Sequence, residues 1–224
     1  MNYAVPPGLD YLMQLDQVLV QQLYEVFELL SGCEMNNKYL LKNSVGQQFL
    51  KAVEDTDCCT RQCCGPMRSF EMQLLDNHEQ EILHLSRPLA CVNCCCSCCL
   101  QSMEVSAPPG TPIGSIHQEW SICTPIAGKF TVRNVSGDVV LRIQGPVCAI
   151  SCGDDVEFKV FTADESAQIG CITKQWRGCC AEAFTDADSF GVTFPMDLEV
   201  RMKALLIGAM FLIDFIYFER KQNN

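Results

Sequence analysis

Ala204-Leu-Leu-Ile-Gly-Ala-Met-Phe-Leu-Ile213 is the longest apolar run of this 224-residue chain, and what encloses it decides the fold. A helix apolar all round is buried on every side, in protein or in lipid. Only fifteen residues separate the charges Lys203 and Glu219, and Asp214 is one of them. A bilayer core takes roughly 20 apolar residues, whereas a run of about 10–14 suits a core helix better. An Asp in lipid costs at least about 2.5 kcal/mol, less where it can snorkel. The balance favours a protein core for residues 200–218, with a membrane span as the open alternative.

Immediately upstream runs Phe184-Thr-Asp-Ala-Asp-Ser-Phe-Gly-Val-Thr-Phe-Pro-Met-Asp-Leu198. Pro195 suits the first turn of a helix over about 197–218, and Asp197 and Glu199 suit its positive end. Measured against a calcium loop, Asp186 and Asp188 match the first and third positions and Gly191 the sharp turn. Asp197 takes the last ligand position with a shorter reach than Glu, and Phe190 stands where a carboxylate or amide belongs. So few anionic ligands predict low affinity, about 10⁻⁴–10⁻³ M. The plainer alternative is a solvated acidic turn that caps the helix.

Ahead of this stretch the chain reads as hairpins. Phe70, Met72 and Leu74 alternate with polar residues, Asp76-Asn77 turns, and Glu81 to Leu85 returns. Met103 and Val105 precede Pro108-Pro-Gly110, after which a strand resumes towards Trp120. Phe130 and Val132 lead through Ser136-Gly-Asp138 to Val139, Leu141 and Ile143. Val156, Phe158 and Val160 run to Ala163-Asp-Glu-Ser166, and Ile169 to Trp176 returns. Evenly spaced strands of this kind predict an antiparallel sandwich or barrel. A closed barrel needs its interior filled, and the apolar helix would fill it. Residues 1–8 read as a short flexible tail, 9–219 as one domain, and 220–224 as a second tail. Leucines 12, 15, 19, 23 and 30 predict a helix over Leu9 to Leu30, although Val18-Leu-Val-Gln21 would serve equally as a strand.

A net charge of −11 does not favour a general nucleic-acid-binding surface. Met1 to Asp10 has neither a basic nor an apolar leader region, so a reducing cytosol is expected for the seventeen cysteines. Disulfides are rare there, and tight bunching argues against a disulfide framework. Cys91, Cys94, Cys95 and Cys98 show the two-residue gaps of zinc knuckles. Five cysteines, Cys94, Cys95, Cys96, Cys98 and Cys99, nevertheless exceed what one zinc needs. Fatty acylation explains the surplus better, because stable anchoring takes two or more chains. Cys58, Cys59, Cys63 and Cys64 suit a structural metal such as zinc, or packing. His78, His84 and His117 neighbour no evident nucleophile with a supporting acid, and no phosphate loop or dinucleotide fingerprint is present. Lys174, Trp176 and Arg177 make a small basic-aromatic patch, read most simply as a solvated strand face.

Cys58-Cys-Thr-Arg-Gln-Cys-Cys-Gly-Pro66, Cys94-Cys-Cys-Ser-Cys-Cys-Leu100, Ala107-Pro-Pro-Gly-Thr-Pro-Ile-Gly114, Ala183-Phe-Thr-Asp-Ala-Asp-Ser-Phe-Gly191 and Met202 to Glu219 together resemble the phospholipid scramblases. The likeness extends from about Pro7 to Glu219. It lacks the long Pro-rich arm of other members, and with it their SH3 or WW ligands. The resemblance implies a mainly β, Tubby-like closed antiparallel barrel of twelve strands around a buried C-terminal helix. It implies acylation at the five cysteines 94, 95, 96, 98 and 99, and a calcium segment over Asp186, Asp188, Phe190, Val192, Phe194 and Asp197. An importin-binding stretch is similar to residues 170–178, with Cys171 in place of a Lys. The implied activity is calcium-responsive, ATP-independent, bidirectional movement of phospholipids between leaflets, without covalent chemistry. The implied setting is a membrane, foremost the plasma membrane, held by one span or by acyl chains with the N-terminus cytosolic. Membrane phospholipids are the implied partners, with protein partners and calcium-linked self-association also compatible. An acylated adaptor or lipid-sensing module with a nuclear role is the alternative.

Overall fold

Period-two alternation of buried and exposed side chains runs through the chain, and it builds a closed barrel around one helix. A computed structural model describes residues 5–23, 36–56, 68–90, 100–120, 128–146, 156–175 and 189–217. The strands are β1 (Gln17–Leu23), β2 (Lys38–Lys42), β3 (Gln48–Asp55), β4 (Phe70–Leu75), β5 (Glu81–Arg87) and β6 (Ser102–Ser106), then β7 (Pro112–Gln118), β8 (Lys129–Asn134), β9 (Val139–Gln144), β10 (Val156–Thr162), β11 (Gln168–Gln175) and β12 (Ser189–Thr193). Each pairs antiparallel with its sequence neighbours, and β1 also pairs with β12, which closes the barrel. The twelve-stranded closed barrel with a C-terminal helix is the expected architecture, observed.

The two ends of the barrel differ. At one end five hairpins (β2–β3, β4–β5, β6–β7, β8–β9 and β10–β11) close in tight turns, and each carries a register shift in its ladder. Asn43, Asp76 and Asn134 organise three of them by accepting hydrogen bonds from backbone N–H groups two and four residues on. Asp164 does the same for Ser166, and the Thr162 and Ser166 hydroxyls hold its carboxyl down to about 2. The left-handed turn position is glycine in three of the five hairpins, Gly46, Gly110 and Gly137, where a side chain would be strained. The opposite end carries the long connections. Segments 24–35, 57–67, 91–99, 121–127, 147–155 and 176–188 all join strand ends there.

Helix α1 (Val200–Tyr217) enters at the tight-turn end and runs back through the barrel for about 27 Å. Leu206, Ile207, Ala209, Met210, Phe211 and Leu212 are fully enclosed. Gly208 lets the helix approach the wall, since a Cβ there would lie 2.9 Å from Val105 Cγ2. The apolar run is therefore buried in protein. Among the described residues no helix is long and apolar enough to cross a membrane.

Three expectations are corrected. Where a helix was expected over Leu9 to Leu30, the described part is a 3-10 turn at Asp10–Gln14 followed by strand β1, and residues 24–30 lie outside the described residues. Val18 and Val20 face the interior at 0% and 1% exposure, so β-branched alternation outweighs the leucine spacing. Pro195 opens a turn that ends with the Leu198 N–H on its carbonyl, and α1 begins five residues later. Residues 5–8 are not a loose tail: Pro6 is buried and accepts the Leu9 N–H.

Candidate functional site

Inward-facing positions are apolar along most of each strand and turn polar at the long-connection end. Leu50 and Ala52 give way to Glu54, Leu83 and Leu85 to Arg87, and Ile172 to Lys174. Each charge sits inside the barrel mouth, where burial without partners would be costly. Glu54 accepts from Arg68 Nε at 2.9 Å, Asn37 Nδ2 at 2.7 Å and the Thr56 hydroxyl at 2.8 Å. Arg87 donates to Gln101 Oε1 at 2.6 and 3.2 Å. Aromatic rings join these groups to the helix. Arg68 lies 5.1 Å over Phe215, Phe215 stacks on Phe70 at 4.2 Å, and Arg87 covers Phe70 at 5.5 Å.

Helix α1 brings two charges into the interior, both of the wrong sign for its macrodipole. Lys203 is near the positive end and Asp214 near the negative end, so each depends on the barrel for partners. The Lys203 ammonium donates to the carbonyls of Leu12, Leu15 and Met196 at 2.9, 2.7 and 2.7 Å, beside the Phe194 ring. Burial pushes its pKa down, and Asp16 and Asp197 oppose that shift. Asp214 pairs with Lys174 at 3.2 Å, with each side chain 9% exposed. A cavity of about 10 Å³ adjoins this pair, between Phe158, Phe190 and Met210. It admits about one water molecule and no headgroup.

Strand β12 divides the expected calcium segment. Phe190, Val192 and Phe194 point into the core at 5%, 0% and 4% exposure. Asp197 is exposed at the tight-turn end, whereas Asp186 and Asp188 lie outside the described residues. The five residues of β12 span about 13 Å, so Phe190 and Val192 sit in a ladder and not in a loop. Among the described residues no three His, Cys, Asp or Glu side chains converge for a metal.

Lys174 is not part of a solvated face. It is 7% exposed and hydrogen-bonded within a central strand, so presenting it to an importin would require breaking its bond to Asp214. Trp176, Arg177, Cys58, Cys59, Cys63, Cys64, Cys94, Cys95, Cys96, Cys98 and Cys99 lie outside the described residues. The connections that carry them all join strand ends at the long-connection end.

Two histidine constellations on the outer face escaped the sequence reading, because only strand register creates them. Ser115 Oγ lies 2.9 Å from His117 Nε2, two residues along β7. His84 joins Glu81 through Nδ1 at 2.6 Å and Glu71 through Nε2 at 2.9 Å. Burial lowers the His84 pKa, but the two carboxylates outweigh it and the net shift is upward. A raised folded pKa contributes stability that is full below about 6.5 and is lost as pH rises through the raised value. His84→Gln should therefore cost at most about 1 kcal/mol near pH 6, because the site is partly exposed, and less at pH 8. Urea melts at the two pH values check this; an equal cost at both would remove the ionic reading.

A family model for the scramblases matches residues 1–220. The chain belongs to the scramblase family. The chain is 54% identical over 214 residues to human phospholipid scramblase 1, covering 96% of this chain and 66% of that protein. It is 52% identical to bovine phospholipid scramblase 2, covering 96% and 72%, and 48% identical to the human form, covering 96% and 71%. It therefore spans about two thirds of the length of the curated relatives it matches.

Proposed function

We propose that this chain is a phospholipid scramblase, moving phospholipids in both directions between leaflets without ATP and in response to Ca²⁺. The observation that carries the reading is the match over nearly the whole chain to proteins named phospholipid scramblases. Geometry supports one particular form of it. Acyl chains on Cys94, Cys95, Cys96, Cys98 and Cys99 would draw the long-connection end to the bilayer, since residues 91–99 join β5 to β6 there. Ca²⁺ neutralising Asp186 and Asp188, between β11 and β12, would act at that same end. Asp197, exposed at the tight-turn end, is left out of this form of the reading. The buried charges of the barrel mouth become groups for a headgroup to exchange with once α1 shifts; in the closed form the cavity beside Lys174 and Asp214 holds no headgroup.

A second reading rests on the enclosed helix. An acylated adaptor or lipid-sensing module needs no spanning element, and among the described residues no helix can provide one. Fluorescent-lipid flip in proteoliposomes, with and without Ca²⁺, separates the two. Direct scrambling predicts Ca²⁺-dependent flip that Asp186→Ala/Asp188→Ala abolishes and Asp197→Ala spares. Absence of flip from folded, acylated protein rejects direct scrambling and favours the adaptor. Hydroxylamine-sensitive acyl label lost on mutating the five cysteines tests the anchor independently of zinc.

A further inference from the structure

We propose that the tight-turn end docks a basic amphipathic segment of another protein. The observation is a groove of about 370 Å³ between the N-terminal strand entry and the start of α1, whose apolar floor includes Val5, Pro6, Met13, Met196 and Leu198. Met13 and Met196 are 52% and 58% exposed. Large flexible apolar side chains left in solvent at one spot suit a surface that moulds itself to a partner. The rim supplies the sign of that partner. Asp197 and Glu199 line the groove with a single base, Arg201. Asp10 lies on the same face of the 3-10 turn as Met13, three residues away. Asp16 is close enough to act on the Lys203 ammonium. Lys203 itself adds little outside, because it is wholly buried and turned onto three backbone carbonyls.

An apolar floor with an acidic rim fits a helix with one apolar face and flanking Lys or Arg. The same rim repels an anionic lipid surface, which sets lipid aside as the occupant. The groove is carried by its own geometry and charge, and it stands whether or not the chain scrambles lipid.

The test is fluorescence anisotropy of a labelled Leu/Lys amphipathic helical peptide titrated with the full chain at low ionic strength. Saturable binding is expected, weakened about tenfold or more by Asp197→Lys/Glu199→Lys, as loss of charge complementarity implies. Met13→Ser/Met196→Ser should weaken it comparably, and all four side chains are exposed or line an open groove, so folding is preserved. Glu104→Lys/Glu157→Lys, the same charge change on the outer wall, should leave binding within about twofold. Equal weakening by that control, or equal binding of a Leu/Glu peptide, would overturn the proposal. So would phosphatidylserine vesicles protecting Met13 and Met196 from peroxide while the Leu/Lys peptide does not.

Discussion

Lys203→Met should lower the unfolding free energy by about 2–3 kcal/mol, as expected when buried carbonyls lose a charged donor. The volume change is small, so a cavity is not the cause. Three carbonyls, of Leu12, Leu15 and Met196, lose their shared donor inside the barrel end. Those carbonyls belong to the segment that introduces β1 and to the turn that introduces α1. Strand β1 closes the barrel by pairing with both β2 and β12, so the loss falls on closure itself. Lys203→Arg should recover only part of the stability, because a planar guanidinium cannot aim three donors at convergent carbonyls as an ammonium does. Chemical denaturation followed by the β-sheet signal measures both variants. A cost below about 1 kcal/mol for Lys203→Met would mean that solvent reaches these carbonyls.

Hydrogen exchange offers a local view of the same variant. Amides of Val18 and Val20, buried in β1, should lose protection more than those of Leu83 and Leu85 in β5. Uniform loss would instead indicate that β1 and β5 open together, in one global step.

The strand alternation was legible because one face of every strand meets the same apolar interior. Phe70, Met72 and Leu74 could only be a strand with its greasy side turned inward. Turn chemistry was equally local: Asp76 and Asn134 fold their hairpins through backbone N–H groups within four residues. Strand β1 was not so legible. Its leucines satisfy helical spacing, and what makes it a strand is a ladder with β12, whose residues lie some 170 positions further on. The local signal, Val18 and Val20 in alternation, only balanced the leucine spacing, and the distant ladder decides between them.

The polar mouth lies between these cases. That Glu54, Arg87 and Lys174 continue an inward register can be counted along each strand. Which partner each would find could not be counted, because it depends on how the closed barrel brings α1 against the wall. Lys174 looked like a surface cation in a basic-aromatic patch, and only the parity of its position relative to Ile172 marks it as buried. The same parity bears on part of the expected calcium segment. Its spacing fits a loop on paper, whereas Phe190, Val192 and Phe194 are core side chains of a strand. Read with that parity, Phe190, Val192 and Phe194 belong to the core and Asp197 to the exposed tight-turn end, while Asp186 and Asp188 lie outside the described residues.

The buried pair of Lys174 and Asp214 permits a double-mutant cycle that separates stability from function. Lys174→Met alone should cost about 3–5 kcal/mol, and Asp214→Leu alone a similar amount, since each strands a buried charge. Combined, the two substitutions remove both charges and should return to within about 1 kcal/mol of the wild type, or slightly above it. Two single costs below about 1 kcal/mol each would show the pair to be screened at the mouth, in spite of its 9% exposures. The double variant then reports on mechanism. It keeps the barrel closed around an apolar helix but takes two charges out of the end proposed to meet the bilayer. If headgroups exchange with these charges as α1 shifts, the folded double variant should lose most Ca²⁺-dependent flip in proteoliposomes while retaining its acyl anchor. Undiminished flip would move the lipid path off the barrel mouth and onto the outer wall, and the pair would be left as a device that fixes the helix in register.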